Sequence, residues 1–403
     1  MSTYNDASLI YYPSGYKASK AYSLKPTDGS GDLTFTRAST ATRVNKSGLI
    51  ESVATGVPRI DFTGGGCGKL LLEPQRTNLL TQSENLSTAA WAKANLTVSL
   101  SSVLSPNGTT FAYKLTNDAI VGNHFTRNTI TVSSGLSYTL SCFIKKGTRS
   151  IVTIADGFNT NELATFDLIN VTATNKNIGT NSTIASYNND WYKCSVSIFV
   201  ASTSLGFMLF SGNTYAGGDT SGDFYAWGCQ IEQGTYPTSY IPTTTTAVTR
   251  VADRLSRNNI YTNGLITASG GTWFVELQSN FSVTNFATDR GVFIGDTTAG
   301  TANALAIRRL SSGRNQIVKV ISGSSTNLFT TTTDTVKIAI KWNVTTADLF
   351  VNGVKVVSST AFAATIMENL GTRASEEPYQ FIQSMMLFPT PKSDAELIAL
   401  TTI

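Results

Sequence analysis

Residues 136–146 read LSYTLSCFIKK and residues 191–200 read WYKCSVSIFV, two runs in which apolar, aromatic and β-branched residues dominate. Similar runs, such as TFAYKLT, SIVTIA, GFMLF and DFYAWGCQIE, are separated by clusters of Gly, Asn, Asp and Ser. Residues of this kind favour strands, and many short strands with turn residues between them are typical of sandwiches and barrels. The sequence therefore predicts an all-β fold.

The last third of the chain shows the same pattern in TWFVELQ, RGVFIGD, QIVKVIS and TVKIAIKWNV. The dipeptide Asn352-Gly353 separates two alternating runs, which predicts a two-residue hairpin turn. Ser393 stands where it can cap a short helix at the end of the sequence. A second short helix is expected after Ser83 or Ser87, so helices remain a minor part of the predicted fold.

The chain has 403 residues, of which 41% are hydrophobic, and this is enough sequence for at least two cores. Residues 237–246 carry two prolines and a run of four threonines, which predicts a linker or an extended crossover and a boundary near residue 245. Residues 1–75 are rich in small polar residues and have too little apolar sequence for an independent core. We therefore expect a partner, or other copies of the chain, to hold this segment.

Charge and cysteine content argue against several classes of protein. The chain has 30 basic and 26 acidic residues without a basic cluster, which argues against a nucleic-acid partner. Cys67, Cys142, Cys194 and Cys229 are too few for a disulfide framework and lack zinc-site spacing, so reduced thiols are expected. The sequence shows no signal peptide and no membrane span, so we expect synthesis in a cytoplasm and no membrane insertion.

Two stretches of unusual composition resemble a known cassette. Residues 33–62 read LTFTRASTATRVNKSGLIESVATGVPRIDF, KLLLEPQRTNLLTQSENLSTAAW follows at 69–91, and residues 225–256 read YAWGCQIEQGTYPTSYIPTTTTAVTRVADRLS. The stretch at 33–91 and the stretch at 225–256 both resemble the repeated cassette of head-spike and tail-fibre proteins of tailed bacteriophages. The resemblance covers roughly the first two thirds of the chain. The best-matching residues are Arg37, Ser39, Thr40, Ala41, Thr42, Gly56, Pro58, Arg59, Glu73, Pro74, Arg76, Thr77, Asn78 and Leu79.

The end of the chain, from DLFVNGVKV at 348–356 to MMLFPTPKSDAELIALT at 385–401, resembles the closing half of a concanavalin A-like (laminin G-like) sandwich. Together with the boundaries above, the resemblances imply three units. Residues 1–75 form an N-terminal particle-attachment arm. Residues 76–245 form a jelly-roll sandwich similar to carbohydrate-binding modules, and residues 246–403 form the concanavalin A-like sandwich.

The resemblance implies a structural virion protein, a head or tail fibre or spike that is not an enzyme. Its arm is expected to hold a capsid or tail protein, its copies to form a homotrimer or a dimer, and its sandwiches to bind host-surface or environmental glycans weakly but in many copies. Two alternatives remain open: a polysaccharide depolymerase-type enzyme, and a purely structural capsid decoration without sugar binding. The resemblance does not decide between head and tail.

Candidate binding residues lie in two places. A loop that reads SGNTYAGGDTSGD is polar and glycine-rich, and we predict that its aromatic and acidic side chains contact glycans. These predicted glycan contacts are Tyr215, Asp219 and Asp223. The tyrosines near the start of the arm are the predicted particle-attachment residues, namely Tyr4, Tyr11, Tyr12 and Tyr16.

Several other signals are assigned to structure. Trp227, Trp273 and Trp342 alternate in phase with apolar residues and are predicted to lie in cores. The glycine cluster at 64–69 fails the phosphate-loop spacing and is predicted to be a turn. His124 lacks neighbouring metal ligands and is expected to be an ordinary loop or strand residue. No carboxylate pair stands out for glycoside hydrolysis, so we expect no catalytic residue, metal or cofactor.

Overall fold

The computed structural model describes residues 3–213, 220–278, 290–297, 302–309, 314–333, 335–362, 366–372 and 380–403. Within these residues strands are the dominant regular structure and helices are few, which confirms the predicted all-β class. The helical elements described are α1 (Thr3–Asp6), α2 (Asp394–Thr401) and a 3-10 turn at Asn188–Asp190. No described helix is long and apolar enough to cross a membrane.

The first sandwich packs two six-stranded antiparallel sheets against each other. Nine short strands precede it: β1 Leu9–Tyr11, β2 Tyr16–Lys17, β3 Lys20–Ala21, β4 Leu33–Thr36, β5 Ala41–Val44, β6 Ile50–Val53, β7 Arg59–Asp61, β8 Lys69–Leu72 and β9 Arg76–Asn78. Its own strands are β10 Ala92–Ala94, β11 Leu96–Leu104, β12 Phe111–Asn117, β13 Phe125–Thr131, β14 Leu136–Lys146, β15 Ile151–Asp156, β16 Asn161–Asp167, β17 Thr172–Asn175, β18 Gly179–Tyr187, β19 Trp191–Val200, β20 Ser204–Ser211 and β21 Asp223–Gln233. The sheet orders are β10-β13-β20-β15-β16-β17 and β11-β12-β21-β14-β19-β18.

The second sandwich is formed by an eight-stranded and a nine-stranded sheet. The strands that follow β21 along the chain are β22 Val248–Arg250, β23 Arg254–Asn258, β24 Gly270–Gln278, β25 Arg290–Gly295, β26 Ala304–Arg309, β27 Asn315–Ile321, β28 Ser324–Thr331, β29 Thr335–Asn343, β30 Thr346–Val351, β31 Val354–Ala361, β32 Asn369–Thr372 and β33 Gln380–Phe388. One sheet has the order β31-β30-β29-β24-β33-β8-β7, with β1 also on β33. The other has the order β2-β3-β4-β23-β32-β25-β26-β27-β28, and two-stranded sheets pair β22 with β9 and β5 with β6.

The structure corrects the prediction of a separate arm at residues 1–75. Strands β1, β7 and β8 belong to one sheet of the second sandwich, and β2, β3 and β4 belong to the other. Leu9, Tyr11, Leu33 and Phe35 are at most 1% exposed and share a core with the C-terminal strands. The segment has too few apolar residues to form its own core. Those it has complete the core of the second sandwich, whose other strands are distant in sequence.

The crossover at residues 237–246 contains no strand, in agreement with the prediction, but part of it is packed inside the protein. Tyr240 and Ile241 are 4% and 3% exposed. It therefore connects the two sandwiches as a packed segment rather than as a loose linker.

The predicted hairpin and the predicted C-terminal helix are confirmed. Asn352 and Gly353 join β30 to β31 with φ angles of 47° and 81°. Ser393 caps α2 in a capping box with Glu396. Helices after Ser83 or Ser87 are absent from the described residues, which form turns there.

Replacing Gly353 with alanine is expected to lower the free energy of unfolding by about 1–2 kcal/mol, because a residue with a Cβ is disfavoured in the left-handed region. A Cβ on Gly353 would also lie 3.0 Å from Oγ1 of Thr402. Urea denaturation checks this, with Val354→Ala as the control because Val354 is 58% exposed. Equal stability of both variants would contradict the assigned turn.

Candidate functional site

A group of fully buried charges lies where the two sandwiches and the N-terminal strands meet. We call it the junction cluster, and it consists of Arg37, Arg59, Arg250, Glu73 and Asp253. Nη1 of Arg37 lies 3.0 Å from Oδ1 of Asp253, and Nη2 of Arg59 binds Oδ2 of the same carboxylate. Oε2 of Glu73 lies 2.7 Å from Nη1 of Arg59 and 3.0 Å from Nη1 of Arg250. Two carboxylates thus join three guanidinium groups.

The backbone completes the junction cluster. Glu73 donates its backbone N–H to Asp253, and Ser239 donates its backbone N–H to Glu73, over 2.8 and 2.7 Å. Arg37, Arg59 and Glu73 are among the residues that carry the resemblance to the phage cassette, and Arg250 and Asp253 lie in its second stretch. The cassette residues therefore meet in space as a buried joint, since buried ions require such pairing.

Burial alone opposes ionisation of Glu73, but the guanidinium groups of Arg250 and Arg59 outweigh it and hold the pKa of Glu73 well below its usual range. A depressed carboxyl pKa contributes stability above the unfolded value of about 4.3 and loses it as the pH falls through the folded value. Burial raises the pKa of Asp61, so this group changes the pH dependence of stability in the opposite direction. The effect of Glu73 is expected to be the larger one because Glu73 has two arginine partners.

We therefore expect the free energy of unfolding to fall as the pH is lowered from about 5 toward about 2. Urea titrations at several pH values check the slope in the native chain and in Glu73→Gln, which cannot ionise at this position. The variant should show a shallower dependence on pH. Parallel curves for the two proteins would mean that Glu73 does not carry the effect.

An aromatic layer lies next to the junction cluster, on the outer face of the first sandwich. Phe143, Trp191, Trp227 and Tyr240 pack there with Ile50 of β6. The ring centroids of Trp227 and Tyr240 are 4.7 Å apart, and those of Phe143 and Trp227 are 5.7 Å apart. Trp227 was predicted to be a core residue, and its 1% exposure confirms this, as do 1% for Trp273 and 2% for Trp342.

A cavity of about 110 Å³ opens between this aromatic layer and the N-terminal strands. Four aromatic rings contribute to its walls, those of Phe143, Tyr187, Tyr240 and Phe381. Polar groups converge on the same space from Thr42, Asp61, Thr183, Lys193, Thr238 and Ser239. Since a water needs about 10–15 Å³ of such space, the cavity has room for several waters or for a small polar ligand.

A second, more polar cleft of about 410 Å³ adjoins the cavity and shares Val44, Thr63 and Tyr187 with it. Its rim includes the turns at Gly48 and at Gly64, and it also contains Asn188. The glycine cluster is therefore a turn, as predicted, and a Cβ on Gly64, Gly65 or Gly66 would meet no heavy atom within 4 Å. Together the two spaces form what we call the junction cleft, with an aromatic inner part and a polar outer part.

Four charged residues line the inner part, of which Arg43 pairs with Glu51 and Glu73 belongs to the junction cluster. The other two, Asp61 and Lys193, form no ion pair within 4.0 Å in the described structure. The Asp61 carboxylate accepts the backbone N–H of Val44 and of Thr63, each over 2.8 Å. The Lys193 ammonium donates to the backbone oxygen of Thr238 and lies 5.8 Å from the ring centroid of Phe143. Burial lowers the pKa of Lys193 and raises that of Asp61.

Of the predicted glycan residues, the structure describes Asp223, which does not line the junction cleft. Tyr215 and Asp219 lie outside the described residues. Asp223 begins β21, where its carboxylate lies 3.0 Å from Nζ of Lys114 and accepts the backbone N–H of Thr148. Asp223 is therefore engaged in contacts within the first sandwich.

The predicted attachment tyrosines differ in exposure. Tyr11 is 1% exposed and packs in the core of the second sandwich, so it is not available to a partner. Tyr4 and Tyr12 are 48% and 40% exposed. The hydroxyl of Tyr16 accepts a hydrogen bond from Nη2 of Arg43 over 2.9 Å.

Sequence reasoning missed both the junction cluster and the junction cleft. The sequence did contain a signal for them, because the charged residues Arg37, Arg59 and Glu73 stand among apolar or small residues of the cassette.

The side chain of His124 is buried, at 3% exposed, and its Nε2 pairs with the backbone oxygen of Asp118 over 2.9 Å, which agrees with the expectation of an ordinary loop or strand residue. Among the described residues there is no group of three or more His, Cys, Asp or Glu placed to hold a metal ion. Cys142, Cys194 and Cys229 are buried free thiols, and Cys67 is an exposed one.

The fold and the site define an all-β protein of two sandwiches with a cleft at their junction. No protein-family model matches the sequence, and no curated protein matches it. Among solved structures, it is similar to a carbohydrate-binding module (CBM40) of the Ruminococcus gnavus IT-sialidase bound to α2,3-sialyllactose, with 17% identity and a TM-score of 0.26 over 34% of this chain and 84% of that one.

It is also similar to the N-terminal tandem CBM22 domains of Xyn10C from Paenibacillus barcinonensis, with 11% identity and a TM-score of 0.25 over 79% of this chain and 99% of that one. These solved neighbours are β-sandwich carbohydrate-binding modules.

Proposed function

We propose that this chain is a non-enzymatic, glycan-binding subunit of a tailed-bacteriophage particle, and that the junction cleft is its sugar site. The observation that carries the proposal is the composition of the inner cleft. Sugar rings present apolar faces that stack on aromatic side chains and hydroxyl groups that need hydrogen-bond partners. The inner cleft offers both within one cavity, with aromatic rings such as Phe143 and Tyr187 beside hydroxyls such as Thr183 and Ser239.

The size of the cleft fits a short glycan. Small-molecule sites usually occupy about 300–1,000 Å³, and the inner part at about 110 Å³ is smaller than that. It accommodates one end of a sugar chain, while the adjoining outer part of about 410 Å³ has space for the next residue. Binding at one such site is weak, and many copies on one particle would strengthen it.

The phage part of the proposal is supported by the sequence cassette. Its charged residues form the junction cluster, which fixes the N-terminal strands, the crossover and the second sandwich in one arrangement. The junction cleft adjoins this cluster, since Glu73 and Ser239 line the cleft as well. The cassette therefore supplies a rigid joint that also shapes a binding site. Exposed Tyr4 and Tyr12 remain the proposed contacts to a capsid or tail protein.

The sugar site is tested by filling the cleft. Ala185 lines the inner part and pairs across strands with Lys193, so phenylalanine at this position would occupy the cavity. The purified chain is expected to bind host cells and to lose that binding after periodate oxidation of their glycans. Ala185→Phe should reduce binding at least about tenfold, a change of roughly 1.4 kcal/mol.

Thr172→Phe is the matched control, because Thr172 is exposed on β17 and does not line the cleft. It should bind as the native chain does. Loss of binding in both variants, or in neither, would contradict the junction cleft as the sugar site. Co-sedimentation of the tagged chain with phage particles tests the virion assignment separately, and absence of the chain from purified particles would overturn it.

A further inference from the structure

Lys193 is one of two cations that line the inner cleft, and its hydrogen bonding is incomplete, whereas Arg43 pairs with Glu51. It lies on β19, on the outer face of the first sandwich, and its side chain is half-buried. An ammonium group has three N–H donors. Among the described residues, its single hydrogen-bond acceptor is the backbone oxygen of Thr238. Two donors of a partly desolvated cation are therefore available to a ligand in the cavity.

The carboxylates near Lys193 already have other partners. Glu73 is paired with Arg59 and Arg250 in the junction cluster. Glu232 accepts hydrogen bonds from the backbone N–H and the hydroxyl of Thr238, over 2.8 and 2.7 Å. No carboxylate lies within 4.0 Å of the Lys193 ammonium in the described structure. The cation therefore has no dedicated counter-ion in the protein.

Asp61 is the carboxylate of the same space that lies outside the junction cluster, and more of its hydrogen-bonding capacity is used. Each of its two oxygens accepts a backbone N–H, from Val44 and from Thr63. Burial raises the pKa of Asp61, which weakens its repulsion of an incoming anion. Burial also lowers the pKa of Lys193, and a carboxylate bound beside the amine would counter this by stabilising its charged form. Lys193 has unused hydrogen-bond donors, whereas each oxygen of Asp61 already accepts a backbone N–H. The cavity therefore favours an anionic ligand over an amino sugar.

We propose that the glycan recognised in the junction cleft carries a carboxylate group, as uronic acids do, and that this carboxylate binds the ammonium of Lys193. This inference rests on the proposed function and names the class of sugar that the site takes. The sugar ring stacks against the aromatic wall formed by Phe143 and Tyr187, whose centroids are 5.0 Å apart in an edge-to-face arrangement. The unused lone pairs of Asp61 accept hydroxyl groups of the sugar. The ion pair forms in a partly desolvated cavity, where charge-assisted hydrogen bonds are strongest.

The test compares two probes that differ only in the acid group, methyl β-D-glucuronide and methyl β-D-glucoside. Binding to the full chain is measured by calorimetry, and saturation-transfer NMR shows which sugar protons contact the protein. The native chain should bind the glucuronide roughly 10- to 100-fold more tightly than the glucoside. Lys193→Met keeps the length of the side chain and should remove this preference while it retains the weaker binding of the glucoside.

Lys146→Met removes the same charge from an exposed position outside the cleft and should keep the preference. A thermal melt of Lys193→Met should show no loss of stability, since the half-buried charge is removed, and this distinguishes a binding role from a structural one. Acetate serves as a third probe, and competition by acetate as strong as by the glucuronide would overturn the assignment to a sugar acid.

The outcomes separate this inference from the proposed function. Equal binding of the two glycosides, unchanged in Lys193→Met, would overturn the carboxylate assignment and leave glycan binding in place. Absence of binding for both glycosides and for acidic and neutral oligosaccharides would overturn both proposals. Preference for the glucuronide that survives in Lys193→Met would assign the acid to a different cation and overturn the role of Lys193.

Discussion

Replacing Asp253 with alanine is expected to lower the free energy of unfolding by about 3–5 kcal/mol, because removal of one partner leaves buried charge without compensation. The side chains of Arg37 and Asp253 are both 0% exposed, and Arg59 is equally buried. Asp253→Ala removes the carboxylate that both guanidinium groups share, and it also removes the acceptor of the Glu73 backbone N–H. No other described group replaces these three interactions.

Urea denaturation of the full chain, followed by tryptophan fluorescence, measures this loss. Lys114→Met is the matched control, since it breaks the pair between Lys114 and Asp223, in which the Lys114 side chain is 36% exposed. Exposed pairs contribute about 0–1 kcal/mol, so the control should stay within that range. Similar losses in the two variants would mean that the junction cluster behaves as a surface ion pair and does not hold the sandwiches together.

Replacing Tyr11 with alanine is expected to lower the free energy of unfolding by about 3–5 kcal/mol, the range for removal of a buried aromatic side chain. Tyr11 is 1% exposed in the core of the second sandwich, and its strand β1 pairs with β33 through Met385. The substitution leaves a cavity between the N-terminal and C-terminal ends of the chain. This is the opposite of what a detachable arm would show.

Tyr12→Ala is the control for Tyr11→Ala, because it changes the next residue along the chain, which is 40% exposed. It should change the free energy of unfolding by less than about 0.5 kcal/mol. The same pair of variants also tests attachment, since only Tyr12 is available to a partner. If Tyr11→Ala is as stable as the native chain, residues 1–75 would indeed act as an arm outside the second sandwich.

Local patterns predicted the parts of the fold that depend on neighbouring residues. The Asn352-Gly353 turn and the Ser393 cap depend on φ preferences and on hydrogen bonds within a few residues, so they are readable from sequence. Period-two alternation placed Trp273 and Trp342 in a core because a strand alternates its faces whatever its partner. Trp227 is buried as well, but on the opposite face from Ile231, because the strand pairing is irregular between them. The all-β class follows from the same local information.

Partners distant in sequence were not readable in this way. Strand β1 is only three residues long and pairs with a strand that begins at residue 380, so nothing near Leu9–Tyr11 indicates its neighbour. The low apolar content of residues 1–75 correctly excluded an independent core, but it did not show that another domain would supply the rest of one. Similarly, the junction cleft draws its walls from residues between Thr42 and Phe381, so no single stretch of sequence indicates it.

The sequence by itself therefore determined the strand-rich class, the turns, the cap and the cassette residues, because each depends on local geometry or on a recurring pattern. Only the tertiary structure decided that Arg37, Arg59, Glu73, Arg250 and Asp253 form one buried cluster, and that Lys193 and Asp61 line the same cavity. Burial and ion pairing are properties of side chains from separate strands brought together, and the free energy of desolvation that gives them their chemistry exists only once the chain has folded.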